Sequence, residues 1–379
     1  MKINEYTKKD GNTYYKFQLM LGVDKKTGKK VRVRRSGFTS KKEAQDTAIQ
    51  LLNDFNQGNY LDRDNQTYYD IYKLWFDTRY IHDVRESTAN KTRQLFNNHI
   101  LKSFGKKKIQ NITPIECTEA VNEWSKTNKD INKMKNHASK VFDFAINNLI
   151  INTNPMDRVQ LPKIHAKKRE VNFYTRDELQ LFLECAKKED NPIWFPLFRL
   201  LAFSGMRKGE ALGLQWKKIN FKDKTITIDQ TLTLGLGNKI IVQDTKTTSG
   251  NRVISMDDTT LEILAIWRKR QLQDYLRVGI NTNKPTQYVF TNYKNEFVNP
   301  SNVTNSINRI LLNNGLRKIT THQLRHTHAS LLFEAGLPIK DVQERLGHSS
   351  YEITMDVYTH IYNDRKDGTA QKFSKFVGF

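Results

Sequence analysis

His322-Gln323-Leu324-Arg325-His326-Thr327-His328 runs on, through Leu346-Gly347-His348, to Tyr358-Thr359-His360, and the reading of the chain turns on this stretch. On a helix over His322–Phe333, His322 and Arg325 are three positions apart and project from one face. Further helices are expected over Ile339–Leu346 and Glu352–Ile361, with Gly336 and Gly347 as stops. Upstream stands Ser204-Gly205-Met206-Arg207-Lys208-Gly209-Glu210, directly after an apolar helix over Pro192–Ser204. Between the two, Asp244-Thr245-Lys246-Thr247 ends a strand at a turn. Thr225–Gln230, Lys239–Asp244 and Arg252–Met256 read as a three-stranded meander, and Val289-Phe290 as a short strand. Leu261–Leu276 and Thr304–Asn313 read as helices, and Thr175-x-x-Glu178 is a capping box that opens another.

Working outward, residues 61–161 read as helices. Tyr68–Tyr80 is the first, Ser87 starts a second with Leu95, Phe96 and Ile100, and Thr113-Pro114-x-Glu116 opens a third. Ile131–Leu149 is a fourth, with Val141, Phe144, Ala145 and Leu149 at core spacing, and Asn154-Pro155 ends it. Residues 162–169 are polar and basic without apolar periodicity, which fits an interdomain linker. Residues 1–60 read as a small sheet and a helix. Asn12–Val23 alternates, Thr27-Gly28 marks a turn, and Val31–Arg35 interleaves valines with Arg32, Arg34 and Arg35. Ser40 and Glu43 cap a helix running to about Gln57-Gly58. The expected fold is multidomain α+β: a small N-terminal sheet plus helix over 1–60, an all-α domain over 61–161, and a mostly α domain with a three-stranded antiparallel sheet over 170–379.

The chain of 379 residues carries a formal net charge of +22, and the excess is not one tail. Residues 1–60 hold 13 Lys and Arg against 6 Asp and Glu, residues 61–168 hold 19 against 12, and residues 169–379 hold 30 against 22. A long polyanion touched by several domains calls for that distribution, so nucleic acid is the leading partner; the plain alternative is a basic protein without one. No apolar run is long enough for a membrane span, and Met1–Asp10 lacks the core of a signal peptide. Cys117 and Cys185 form no metal-type pair, and a reducing cytoplasm fits them.

The residue types point to phosphoryl chemistry. A phosphodiester passing through a pentavalent state gathers negative charge on its equatorial oxygens, and two guanidiniums can hold those oxygens in fixed forks at every relevant pH. That replaces the metal ions of other phosphoryl-transfer sites. A phenol with a pKa of about 10 must lose its proton during attack, and a nearby imidazole can accept or relay it. No Gly-x-x-x-x-Gly-Lys-Ser/Thr loop is present, so no nucleotide cofactor is expected. His322, His326 and His328 lack the glutamate or cysteine partners of a zinc site, so no metal is expected. Lys246 competes with Lys239, Lys222 and Lys224 nearby, and Tyr358 with Tyr351 and Tyr362.

Taken in order, these residues resemble the tyrosine recombinases, the phage-integrase class found in phages and conjugative transposons. Gly205-Met206-Arg207-x-Gly209-Glu210 is similar to the family's first box, His322-x-x-Arg325 to its second, and Leu346-Gly347-His348 with Tyr358 to its nucleophile segment. Asn98-His99-Ile100 through Phe104-Gly105 and Lys107 is similar to the helical core-binding domain, and residues 1–58 resemble, more loosely, an arm-binding domain. The resemblance implies that Tyr358 attacks a scissile phosphate to form a 3′-phosphotyrosyl link, and that Lys246 protonates the leaving 5′-oxygen. It implies that Arg207 and Arg325 clamp the phosphate, with His322 and His348 supporting and Glu210 orienting from behind. Strand exchange through a Holliday junction follows, without metal or ATP. The partner implied is double-stranded DNA at core-type and arm-type sites, with Arg32, Arg34, Arg35, Lys91, Arg93, Lys135 and Lys140 as expected contacts. A homotetramer joined by a tail over 369–379 is also expected, in which Phe373, Phe376, Val377 and Phe379 dock on a neighbouring subunit. An accessory DNA-bending protein and an excisionase would act at such composite sites. The alternatives are a chromosome or plasmid dimer resolvase, a type IB topoisomerase, and an architectural DNA-binding protein without catalysis.

Overall fold

The computed structural model describes residues 2–7, 12–23, 30–56, 66–128, 130–162, 172–245, 250–348, 350–352, 354–355, 359, 374 and 377–378. Lys246, Tyr358, the Thr27-Gly28 turn, the linker beyond Pro162 and most of the C-terminal tail lie outside the described residues. Two compact units divide the chain: Met1–Tyr80 with Leu95–Lys163, and Ile81–Gln94 with Ile164–Phe379.

In the first unit, β1 (Lys2–Thr7), β2 (Thr13–Val23) and β3 (Lys30–Phe38) form an antiparallel sheet in that order. β1 has no clean alternation of its own and is made a strand by its partner, with Lys2 opposite Gln18 and Thr7 opposite Thr13. Phe17, Leu21 and Val33 are buried, and α1 (Lys41–Asn56) lays Ala44 and Ala48 against Phe17. Two alanines there let the helix approach the sheet closely, and burying Phe17 contributes about 1.5–3 kcal/mol. Ser40 Oγ accepts the Glu43 amide at 3.1 Å, and the Glu43 carboxylate accepts the Thr39 amide at 3.0 Å, which starts the helix.

The helical remainder begins with α2 (Tyr68–Trp75), capped by a reciprocal Thr67–Asp70 pair, and a π turn over Phe76–Tyr80. α3 (Ile81–Asp83) and α4 (Glu86–Leu95) follow; apart from Leu95 they belong to the second unit. A second π turn over Phe96–Ile100 leads to α5 (Leu101–Phe104), α6 (Pro114–Thr127) and α7 (Ile131–Asn147). An aromatic core joins the pieces that belong to the first unit. Tyr72 stacks on Phe96 with ring centres 4.3 Å apart, Phe104 meets Trp124 edge-on, and Tyr68 Oη donates to the Ala138 carbonyl at 3.1 Å.

In the second unit, α8 (Arg176–Lys187) and the apolar α9 (Trp194–Ser204) pack together, and the short α10 (Lys208–Leu212) follows. The sheet region departs from the expected meander. β4 (Ile219–Asn220), β5 (Thr225–Ile228) and β8 (Arg252–Ser255) form the three-stranded antiparallel sheet, while β6 (Gln230–Leu234) and β7 (Ile240–Asp244) pair apart as a hairpin. Asp229, between β5 and β6, marks the change of partner: its carboxylate takes the Lys218 ammonium. Val289-Phe290 is a bend between two isolated bridges rather than a strand. α11 (Asp258–Leu276), α12 (Pro300–Asn313), α13 (Thr321–Glu334) and α14 (Ile339–Leu346) complete the unit. α13 begins earlier than the expected His322, because Thr320 and Gln323 form a capping box.

Candidate active site

α9 stops at Gly205, which takes a left-handed conformation with φ of 65°. A Cβ there would lie 2.6 Å from the His328 ring and 2.7 Å from Leu346, so both the turn and the packing demand glycine. The turn delivers Arg207 to the start of α10. Glu210 Oε2 accepts the Arg207 amide at 2.9 Å, and Oε1 accepts Arg207 Nη1 at 2.7 Å. Oε2 also accepts Arg252 Nη2 at 2.9 Å. Burial alone would raise the pKa of this carboxyl, but the Arg252 hydrogen bond and the Arg252 and Arg207 charges hold it below its ordinary value. Glu210 is therefore an anion at neutral pH.

Three arginines converge on the end of α14. Arg252 Nε donates to the Arg345 carbonyl at 2.8 Å, Arg325 Nη2 to the Leu346 carbonyl at 2.6 Å, and Arg207 Nη2 to the Gly347 carbonyl at 3.1 Å. The last carbonyls of a helix have no partner within it and sit at the negative end of its dipole, so guanidiniums are well placed there. Arg325 also donates from Nη1 to the Gly205 carbonyl at 2.7 Å, which ties the first box to the second. The residue is 2% exposed. Burial, and then the Arg207 charge, lower its pKa, yet a guanidinium begins so high that it stays charged. Two of these guanidiniums, Arg207 and Arg252, share the Glu210 carboxylate, and Arg325 is held by the Gly205 and Leu346 carbonyls. The excess positive charge is held in fixed orientation, as an anion-binding site requires.

The imidazoles sit in this field. His348 is buried and its Nδ1 is 2.9 Å from Thr354 Oγ1. Burial, then Arg325 and Arg207, push its pKa down to about 3. The same causes in the same order lower His322, whose ring meets that of His326 edge-on with centres 4.8 Å apart. His326 is pushed down to about 4 by burial first and His322 second. All three are neutral at pH 7.

The structure brings together Arg207, Glu210, Arg325, His322 and His348, while Lys246 and Tyr358 lie outside the described residues. Three contributors were not singled out from the sequence. Arg252 links Glu210 to α14, and its one signal is strand parity with buried Ile254. Arg345 donates to His328 Nε2 at 3.0 Å and to the Phe203 and Ser255 carbonyls, while His328 Nδ1 lies 2.9 Å from the Ala202 carbonyl. Because Arg345 must donate, His328 carries its proton on Nδ1 and stays neutral, with its pKa pushed down to about 3 chiefly by burial. Thr354, fully buried, ties His348 to the segment leading toward residue 358.

Among the expected DNA contacts, Arg32 and Arg34 are exposed on one face of β3, and Lys91 and Lys140 are exposed on α4 and α7. Arg35 shares the parity of Val33, opposite Phe17, and is half-buried. Lys135 turns to donate to the Val159 carbonyl at 2.7 Å.

Residues 172–365 match the phage integrase family, 67–125 its N-terminal SAM-like domain and 3–55 an arm DNA-binding domain. The chain belongs to the phage integrase family. The ICEBs1 integrase of Bacillus subtilis is 28% identical over 374 residues, covering 98% of this chain and 99% of its own. A XerC-like tyrosine recombinase of Caldanaerobacter subterraneus is 29% identical over 383 residues, covering 96% of each chain. In fold, the chain is similar to the Tn1549 transposon integrase in complex with a circular intermediate DNA. There the TM-score is 0.62 at 20% identity, covering 77% of this chain and 95% of the other. A lambda integrase tetramer bound to a Holliday junction gives a TM-score of 0.57 at 17% identity, covering 93% and 94%. This integrase is a tyrosine recombinase of the conjugative-transposon or phage type, a DNA strand-transferring enzyme that binds DNA.

Proposed function

We propose that this integrase cuts and rejoins DNA at the site built around Arg207 and Arg325, with Tyr358 as nucleophile and Lys246 as general acid. The observation that carries the reading is the set of successive carbonyls at 345, 346 and 347, each held by a different guanidinium. This locks the arginines in place before any phosphate arrives, so little reorganisation is left for the reaction itself. The Tyr358 Oη–P bond forms as the P–O5′ bond breaks. The phenol proton passes to a neutral imidazole, His322 or His348, and Lys246 gives its proton to the leaving O5′. Arg207 and Arg325 hold the non-bridging oxygens through their developing charge. The phosphotyrosyl ester keeps the energy of the broken bond, so a 5′-hydroxyl from a second strand can reverse the step without ATP.

Residues 1–60 would grip arm-type sites, 61–161 core-type sites, and 170–379 the scissile phosphate, with 162–169 as linker. Arg32, Arg34, Lys91, Arg93 and Lys140 would meet phosphates, and tails over 369–379 would join a homotetramer. Integration and excision would then use an accessory DNA-bending protein and an excisionase. The cytoplasm is the expected setting; among the described residues no helix is long and apolar enough to cross a membrane.

A duplex nicked near the cleavage position, which loses the short 5′-hydroxyl fragment after attack, tests the central assignment. Wild-type protein is expected to form a covalent adduct stable to denaturant, and Tyr358→Phe none. An adduct of equal yield in Tyr358→Phe would place the nucleophile elsewhere.

A further inference from the structure

The segment containing Lys246 follows Thr245, one residue past the end of β7, and is followed by Gly250. Both of its ends are pinned by arginines. Arg85 Nη1 donates to the Asp244 carbonyl at 3.0 Å and Nη2 to the Thr245 carbonyl at 3.2 Å. At the other end Arg252 Nη1 donates to the Gly250 carbonyl at 3.1 Å, while the same guanidinium holds Glu210 and the Arg345 carbonyl. Across the neck, Thr245 Oγ1 donates to Asn251 Oδ1 at 2.6 Å.

Arg85 is itself held in register, because the start of α4 is fastened along the whole β6–β7 hairpin. Ser87 Oγ donates to Gln243 Oε1 at 3.2 Å, Glu86 Oε1 accepts the Leu236 amide at 2.8 Å, and Asn90 and Gln94 both donate to Asn238 Oδ1. Gly235 is required by this docking, since a Cβ there would lie 2.3 Å from Glu86 Oε1. These contacts lie within one compact unit. They form a polar seam that ends, at its far limit, one residue before Lys246.

We propose that Arg85 and Arg252 are positioning residues that fix the two ends of the Lys246 segment, so that the lysine ammonium meets the leaving 5′-oxygen. This rests on the reading of Lys246 as the general acid. A lysine side chain has four rotatable bonds, so it reaches one proton acceptor reproducibly only if the backbone on either side of it is fixed. Misplacing a reacting group by about 1 Å costs up to roughly 100-fold in rate. Arg252 does two tasks at once, since it also orients Glu210 and through it Arg207. Arg85 does only the first, and it is exposed, so its removal leaves the buried site intact.

The test compares cleavage of two nicked duplexes by the full-length protein. One carries the ordinary scissile phosphodiester, the other a 5′-bridging sulfur, whose P–S bond breaks to release a thiolate that needs no proton. Lys246→Ala is measured in parallel. Arg85→Ala is expected to cut the ordinary duplex roughly 10- to 100-fold more slowly than wild type and the sulfur duplex at the wild-type rate. Its single-site binding and Tm are expected to stay unchanged, and Arg85→Lys, which can reach only one carbonyl, should lie between. In the double variant Arg85→Ala with Lys246→Ala, the ordinary duplex should be cut no more slowly than by Lys246→Ala alone. If Lys246→Ala is not rescued by sulfur, the general-acid reading itself fails. If Lys246→Ala is rescued and Arg85→Ala is slow on both duplexes, or slow on neither, the positioning role is overturned while the reading stands. Arg252→Lys, read only where its Tm stays within a few degrees of wild type, should be slow on both duplexes with a further sulfur-sensitive part; a defect with no sulfur-sensitive part would remove Arg252 from the segment's support.

Discussion

Arg325 is 2% exposed and ends on two backbone carbonyls, whereas Arg34, on β3, is exposed and ends on Gln18 Oε1 at 3.1 Å. The same side chain stands in two environments, which suit the two tasks proposed for it. In the catalytic unit the protein has already met the cost of removing Arg325 from water, using carbonyls of α14 and of Gly205. A phosphate arriving there meets donors that do not have to move, and charge that develops in the transition state is met at full strength. On the N-terminal sheet Arg32 and Arg34 stay exposed to water. That suits contacts that neutralise a DNA backbone without acting on it. Burial separates the two sets of arginines more than charge does.

The comparison breaks most readily at Arg325. Arg325→Lys keeps the charge but cannot hold both the Gly205 and Leu346 carbonyls while reaching a phosphate. Cleavage of a nicked duplex is expected to fall by about 100- to 1,000-fold, the range seen on losing one fixed donor from an oxyanion site. Equilibrium binding to the same duplex should change by less than about tenfold, because binding draws on many phosphates. A lysine variant that cleaves at the wild-type rate would show that charge suffices and that the fixed geometry carries no catalytic advantage.

How far this site was legible in the sequence follows from the same distinction. Arg207, Glu210, His322, Arg325 and His348 lie in short segments whose spacing is fixed by helix turns, so local pattern reached them. The capping boxes at Thr113 and Thr175 were equally readable, each being confined to four consecutive residues. Arg252 and Arg345 were not, because each acts on residues far away in sequence: Arg252 on Glu210, Arg345 on Phe203 and His328. Strand partnership failed for the same reason. β5 skips the hairpin that follows it to pair with β8, with Ile226 opposite Ile254, and no alternation within Thr225–Ile228 announces that choice. The N-terminal sheet shows the opposite limit, where the basic residues were visible but the facing of Arg35 needed the register across β2, including its bulge near Met20.

A smaller effect is expected from acid. His348 and His328 are pushed down to about 3 and His326 to about 4, against about 6.5 in the unfolded chain. Between those values the unfolded chain binds protons that the folded one refuses. Stability therefore rises with pH through this window and falls as pH drops below about 6.5. The window from 6.5 to 5 reports the histidines with little interference, since carboxylates with lowered values, such as Glu210 and Asp257, lose their contribution only at lower pH. Tm measured from pH 7.5 to 5 should decline steadily, and His328→Gln, whatever its Tm at pH 7.5, should decline less steeply. An unchanged slope in that variant would mean that His328 can take up a proton in the folded state, in conflict with the Arg345 donor that faces its Nε2.

The smallest effects belong to the sheet. Arg32 and Arg34 share the exposed face of β3, so Arg32→Ala or Arg34→Ala should change unfolding free energy by no more than about 0.5 kcal/mol. Each should lower the slope of log binding constant against log salt by roughly one for arm-type DNA, if each neutralises one phosphate. Arg35 supplies the internal contrast. It stands on the parity of Val33, opposite the buried Phe17, and its Nη1 donates to the Arg34 carbonyl at 3.1 Å. Its side chain is half-buried on the side of the sheet that carries Phe17, so Arg35→Ala should lower Tm more than either neighbour while moving the salt slope least. The measurement is a pair of numbers for each variant, Tm and salt slope, and the two should rank the three arginines in opposite orders. If Arg35 ranks with Arg32 and Arg34 on both, the register does not sort these side chains by face, and the contrast between buried and exposed arginines would then hold for the catalytic unit alone.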